Sequence, residues 1–164
     1  MSEQAYKRRM EWLKDHKGLT NALIYIEKIS ELLVYVIYPL FLIFLLVKQR
    51  DYFVGSVLTC GISFVLVSLF RKKLNAKRPY EVFGFPAAMK KEKSGCSMPS
   101  RHVFSASIIS VNLFFITPTF SLICAALSVI IALLRVLLGV HFVRDVLVGA
   151  LIGIGFGILG SFIF

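Results

Sequence analysis

VFSASIISVNLFFITPTFSLICAALSVIIALL, residues 103–134, carries no charge and is interrupted only at Thr117-Pro118-Thr119. A helix needs roughly 20 apolar residues to cross a bilayer, so this run is too long for one span. Pro118 divides it, and it reads as two short spans hinged at the proline. Three more uncharged runs flank it: Leu32–Val47, Phe53–Phe70 and Val146–Phe164. The last two reach the lower limit of about 17 residues alone, and Leu32–Val47 reaches it if its helix begins a turn or two earlier. The expected fold is therefore all-α, a polytopic membrane bundle of about five transmembrane helices.

Composition agrees. Of the 164 residues, 57% are hydrophobic, and the mean hydropathy of +0.79 is too high for a soluble domain of this length. Residues 1–31 are polar and mixed in charge, with no apolar core following a basic start at the spacing of a cleaved signal. The expected division is a polar or amphipathic N-terminal segment, 1–31, and a membrane domain, 32–164. Within the first, Leu19, Ala22, Leu23, Ile26 and Ile29 share a helical face. That stretch reads either as an interfacial helix or as an extension of the first span.

The net charge of +10 is unevenly placed: residues 71–101 hold nine Lys or Arg against Glu81 and Glu92. Residues 1–31 hold six basic and five acidic groups, which nearly cancel. A basic loop held between two spans fits anionic lipid headgroups or an anionic ligand better than nucleic acid, for which no motif is present. The three cysteines, Cys60, Cys96 and Cys124, have neither disulfide-framework nor zinc-site spacing.

Polar residues gather in three islands: RKKLNAKRPYE (71–81), SGCSMPSRH (94–102) and RVLLGVHFVRD (135–145). Alternating helices bring all three to one membrane face. In the third, His141 and Asp145 are four apart and would stack on a helix. An Asp accepting from one imidazole nitrogen leaves the other as base or nucleophile. Arg135 lies about 240° from His141 on a continuous helix, and Gly139 between them permits the break that lets both face one pocket. In the second island, Ser100 is placed as an N-cap ahead of an apolar run, where backbone N–H groups attract anions. Arg101 adds a donor fork suited to phosphate, and His102 can give a proton. The first island supplies Arg71, Lys72, Lys73, Lys77 and Arg78 before Pro79. Each island alone reads as a basic flank, a cap or an interfacial ion pair. Together they hold the parts of phosphoryl transfer through a phosphohistidine: a cationic cradle, a nucleophile, an orienter and an acid.

The islands resemble the signature of the type 2 phosphatidic-acid phosphatase superfamily: K-x6-R-P, then P-S-G-H, then S-R-x5-H-x3-D. The matching positions are Arg78-Pro79, Pro99-Ser100-Arg101-His102, and Arg135, His141 and Asp145, in the family's order and spacing. Three departures stand out. Arg71 occupies the position of the family's Lys, with Lys72 one residue on as a substitute; Arg101 replaces a Gly; Leu134 replaces a Ser. The resemblance implies that His141 attacks phosphorus, Asp145 orients it, and His102 protonates the leaving group. It implies that Arg71, Arg78, Ser100, Arg101 and Arg135 hold the phosphoryl oxygens, with no metal and no cofactor. The implied substrate is a lipid phosphate or pyrophosphate, with membrane lipids as partners: phosphatidic acid, phosphatidylglycerol phosphate or undecaprenyl pyrophosphate. The small size suggests a bacterial enzyme, and the implied site faces the outer side of the cell membrane. The positive-inside rule points the other way, because the most basic loop is the catalytic one. The competing readings are a lipid phosphotransferase on the same site and a non-enzymatic lipid-binding or transport protein. Vanadium-dependent haloperoxidases share the site pattern but are soluble and larger. In the last span, Gly149, Gly153 and Gly157 form a small-residue stripe for close helix packing, and Pro39 marks a kink in the first.

Overall fold

The computed structural model describes residues 2–89 and 94–163. Lys90, Lys91, Glu92 and Lys93, part of the basic segment, lie outside the described residues. Among the described residues seven helices follow in order: α1 Glu3–Asp15, α2 Lys17–Lys48, α3 Arg50–Leu74, α4 Pro79–Val82, α5 Arg101–Phe114, α6 Pro118–Leu137 and α7 Val143–Ile163. The described residues contain no strand. Four of these helices, α2, α3, α6 and α7, are long and apolar enough to cross a membrane.

The fifth expected span is α5, and it has only 14 residues. At 1.5 Å per residue it is about 21 Å long, short of a hydrocarbon core of about 30 Å. It is not among the helices long enough to cross, and it sits inside the bundle instead. It packs between α6 and α7, with α3 and α2 beside it, and Val103, Phe104, Ala106, Ile108, Ile109 and Leu113 are all buried. Pro118 does what its position predicts: α5 ends at Phe114 and α6 begins on the proline itself.

Close packing around α5 comes from small and hydroxyl side chains. A Cβ added at Gly149 would stand 2.6 Å from the Ser100 carbonyl oxygen, and one at Gly153 would stand 2.6 Å from that of Phe104. The expected glycine stripe is thus the surface on which α7 rides against α5. On the other side, Ser107 and Ser128 lie 2.9 Å apart, and Ser110 donates to the Ser121 carbonyl at 2.9 Å. Such hydrogen bonds join helices where both flanks are apolar.

The N-terminal region is more ordered than its composition suggests. Helix α2 is unbroken from Lys17 to Lys48, so Leu19–Ile29 is an extension of the first span. Its buried residues, Thr20, Glu27, Ser30, Val34, Phe41 and Leu45, follow a near-heptad stripe. Pro39 sits inside α2 without ending it. Ahead of it, α1 is capped by Ser2, whose hydroxyl accepts from the Ala5 N–H at 3.3 Å. Tyr6, Met10 and Leu13 form its buried face, against Leu23, Phe83, Phe85 and Ala88. Burial pushes the Tyr6 hydroxyl up to about 12, and that hydroxyl donates to the Gly139 carbonyl at 3.2 Å. Through this contact α1 closes over the turn that carries His141.

Candidate active site

All three islands meet at the end of the bundle where α3 and α6 finish and α5 and α7 begin. Helix α6 stops because Gly139 adopts φ +78, a left-handed conformation that glycine takes without strain. The Val140 and His141 N–H groups then both bond to the Arg135 carbonyl, at 3.0 and 3.2 Å. The break expected at Gly139 is present, and it places Arg135 and His141 on one side of the turn.

His141 and Asp145 do pair, but not as neighbours on a helix. Helix α7 begins at Val143, so His141 lies in the turn before it. Asp145, in the first turn, bends back: its Oδ2 accepts from the Phe142 N–H at 2.9 Å, half of a capping box. The same oxygen lies 3.5 Å from His141 Nδ1 and accepts from the Ser97 hydroxyl at 2.5 Å. Ser97 Oγ is also 3.3 Å from His141 Nδ1. His141 is 1% exposed. Burial first, then the positive charges of Arg78 and Arg135, hold its imidazole down to about 4 from an ordinary 6.5. The hydrogen bond and charge of Asp145 oppose that shift. The ring is therefore neutral at pH 7, the state a nitrogen nucleophile needs.

The second island is a loop stitched from both ends. Arg71 donates to the carbonyls of Pro99 and Cys96, while Lys72 is exposed. Of the two candidates at the head of the first island, Arg71 is thus the one turned inward. Arg78 donates through Nε to the Gly95 carbonyl at 3.1 Å. Glu81 accepts from the Gly95 N–H at 2.9 Å and from the Arg78 N–H at 2.8 Å. The Ser97 N–H donates to the Ala76 carbonyl, and the Ser100 N–H to the Asp145 carbonyl, both at 2.8 Å. Ser100 holds the N-cap position of α5, but its side chain makes no capping bond. Its Oγ is buried without a hydrogen-bond partner among the described residues. Arg101 lies with its guanidinium 5.5 Å from the centre of the Phe64 ring on α3.

Helix α2 contributes two residues that the motifs do not contain. Glu27 Oε1 is 2.6 Å from Arg135 Nη2. One turn on, Glu31 bridges: its Oε2 accepts from Arg135 Nη2 at 3.0 Å, and its Oε1 lies 2.9 Å from His102 Nε2. Their one sequence signal is the four-residue spacing, which puts two carboxylates on one face of a helix that runs straight into the apolar span. Ser97 carried no such signal, because its role depends on how the loop folds. Among the described residues no three His, Cys, Asp or Glu side chains gather as a set of metal ligands.

Comparison with known proteins places this geometry. The crystal structure of Aquifex aeolicus LpxE superposes with a TM-score of 0.73 at 26% identity, covering 96% of this chain and 93% of that one. The crystal structure of a transmembrane PAP2-type phosphatidylglycerolphosphate phosphatase from Bacillus subtilis superposes with a TM-score of 0.68 at 22% identity. That match covers 98% of this chain and 83% of the other. A comparison with curated protein sequences gives no match. The PAP2 superfamily matches residues 52–163, from the head of α3 to the end of α7, which takes in all three islands; the chain belongs to the PAP2 superfamily.

Proposed function

We propose that this protein is an integral-membrane lipid phosphatase that removes a terminal phosphate through a phosphohistidine on His141, without a metal. Membership of the superfamily supports a membrane phosphatase. The observation that carries the finer reading is the cluster in which Ser97 bonds to both Asp145 and His141, with the Asp145 carboxylate 3.5 Å from the ring, beside Arg78 and Arg135. Asp145 and Ser97 engage Nδ1, which makes Nε2 the nitrogen that attacks phosphorus. As the new P–N bond forms, the bond to the leaving oxygen breaks and His102 gives that oxygen a proton. Water then attacks the phosphohistidine and loses a proton to His102, which returns both histidines to their starting forms.

The cations serve this reaction in two ways. Arg78 and Arg135 stabilise the charge that builds on the phosphoryl oxygens. Ser100, whose buried hydroxyl makes no bond within the fold, donates to the same oxygens. Arg71 adds positive charge while its own N–H groups hold the loop that presents Ser97 and Ser100. Arg101, one residue from His102 and stacked on Phe64, meets the lipid headgroup at the rim. The substrate is a lipid phosphate or pyrophosphate reached from the outer face of the cell membrane, with phosphatidylglycerol phosphate and undecaprenyl pyrophosphate ahead of phosphatidic acid.

The test is phosphate release by detergent-purified protein from these three lipids, with chelator present and His141→Ala in parallel. Chelator-resistant release that disappears in the variant is the expected result. Release unchanged in His141→Ala, or none from any of the lipids, would overturn the assignment.

A further inference from the structure

The three motif islands do not account for the charges of α2. Glu27 is 1% exposed and Glu31 is 24% exposed. A carboxylate drawn out of water at the edge of an apolar helix is costly unless it finds a partner. Both have one. Glu27 is taken by Arg135 alone among the ion pairs of the site, which fixes that guanidinium from the α2 side. Glu31 differs, because its two oxygens reach two different groups: Arg135 at 3.0 Å and the His102 ring at 2.9 Å.

We propose that Glu31 is a positioning residue for proton transfer: it holds the His102 ring in place beside Arg135 and stabilises the imidazolium that protonates the leaving group. The inference rests on the phosphohistidine reading above. The site then contains two carboxylate–imidazole pairs with opposite duties. Asp145 and Ser97 orient the buried His141, whose ring stays neutral. Glu31 orients the half-buried His102, whose ring must carry a proton when substrate arrives. A carboxylate against an imidazole favours the charged form. Among the described residues, the charged and titratable groups beside the Glu31–His102 pair include Tyr35 one turn along α2, Glu27 one turn back and also on Arg135, Arg101 on α5 and Arg135 on α6. The two arginines disfavour a further positive charge, and Glu31 is the carboxylate in contact with the His102 ring that offsets them. This is why the bridge is needed there, and why α2 is part of the active site although it lies outside the matched region, which begins at residue 52.

Leaving-group dependence tests this directly. Lipid phosphates expel an alkoxide, which must be protonated as it departs, whereas para-nitrophenyl phosphate expels a phenolate stable without a proton. The value of kcat/KM reports the steps up to the phosphoenzyme and so isolates this proton transfer. Dioctanoyl phosphatidic acid and para-nitrophenyl phosphate are compared for wild type, Glu31→Gln, Glu31→Asp, His102→Ala and His141→Ala. General acid catalysis is worth about 10²–10⁴-fold, so His102→Ala should lose about that on the lipid and far less on the aryl ester. Glu31→Gln should show the same asymmetry at smaller size, about 10-fold or more on the lipid and under about 3-fold on the aryl ester. Glu31→Asp, which keeps the charge, should recover part of the lipid activity.

Equal losses on both esters in Glu31→Gln, or a rise on both, would overturn the proposal: the first means a structural role, the second a carboxylate that competes with phosphate. If His102→Ala itself shows no leaving-group dependence, or His141→Ala stays active, the phosphohistidine reading fails and this inference falls with it. If His102→Ala shows the dependence and Glu31→Gln does not, only the role of Glu31 is refuted.

Discussion

Replacing Gly149 by alanine tests whether the α5–α7 contact sets the geometry of the site. A Cβ there would stand 2.6 Å from the Ser100 carbonyl oxygen and 3.2 Å from the Ser100 nitrogen. Both are backbone atoms and cannot rotate away. Ordinary contact begins at 3.4 Å, so the start of α5 must move about 0.8 Å from α7. That movement stretches the 2.8 Å bond from the Ser100 N–H to the Asp145 carbonyl. It also parts the start of α5, which carries Ser100 and His102, from the helix carrying Asp145. A misplacement of about 1 Å in a catalytic constellation costs on the order of 10²-fold, and overpacking costs about 1–3 kcal/mol of stability. Gly149→Ala should therefore lower kcat/KM by about 10- to 100-fold and lower the melting temperature. Gly155→Ala is the control. Its added Cβ meets nothing within 4 Å, and Ala is favoured over Gly in a helix by about 0.8–1.0 kcal/mol. It should be as active as wild type and no less stable. The assay is phosphate release in detergent with a parallel thermal melt. A Gly149→Ala protein within twofold of wild type in activity would refute the reasoning.

Three further outcomes follow from the site. Ser97→Ala removes the hydroxyl donated to Asp145 Oδ2 at 2.5 Å; a bond to a charged group is worth about 1.5–3 kcal/mol, so turnover should fall at least about tenfold, and unchanged turnover would remove Ser97 from the mechanism. Arg71→Ala breaks two charged hydrogen bonds to the 96–99 loop and should destabilise the fold by about 3 kcal/mol, with Arg71→Lys recovering about half; an unchanged melting curve for Arg71→Ala would contradict that role. The pH profile should be bell-shaped. Activity rises as pH increases through about 4, where His141 loses its proton, and falls at higher pH as His102 loses the proton it must donate. Because the folded ring holds its proton less tightly than an ordinary imidazole at 6.5, the unfolded chain takes up the proton first. His141 therefore costs stability as pH falls from 6.5 toward 4, measurable as a lower melting temperature.

Long charge-free runs made the membrane bundle legible, because hydropathy over a span is a one-dimensional property. Pro118 as a hinge, Gly139 as a break and the glycine face of α7 were legible for a similar reason, since each is a local backbone rule. The length of α5 was not, because its burial among the surrounding helices is a property of the fold and not of the local sequence. The pairing of His141 with Asp145 was anticipated through the wrong geometry: four residues suggested a shared helix face, and the fold achieves the pair with a turn and a backward-reaching first-turn carboxylate. Ser100 was placed correctly as the first residue before α5, yet its hydroxyl does not cap. Glu27 and Glu31 were hidden because the mixed charges of residues 1–31 nearly cancel, which made them look like solvated surface. Their partners, Arg135 and His102, lie more than 70 residues away, a separation no local pattern reports.

The most direct test of the central claim is to trap the phosphoenzyme. Purified protein is mixed with radiolabelled lipid phosphate, quenched within milliseconds and examined for protein-bound label, alongside His141→Ala and with chelator present. The account predicts label on wild type that survives alkali and is lost in acid, as a phosphohistidine should be, undiminished by chelator and absent from His141→Ala. Label that persists in His141→Ala, or release that proceeds without any bound phosphate and stops with chelator, would contradict it.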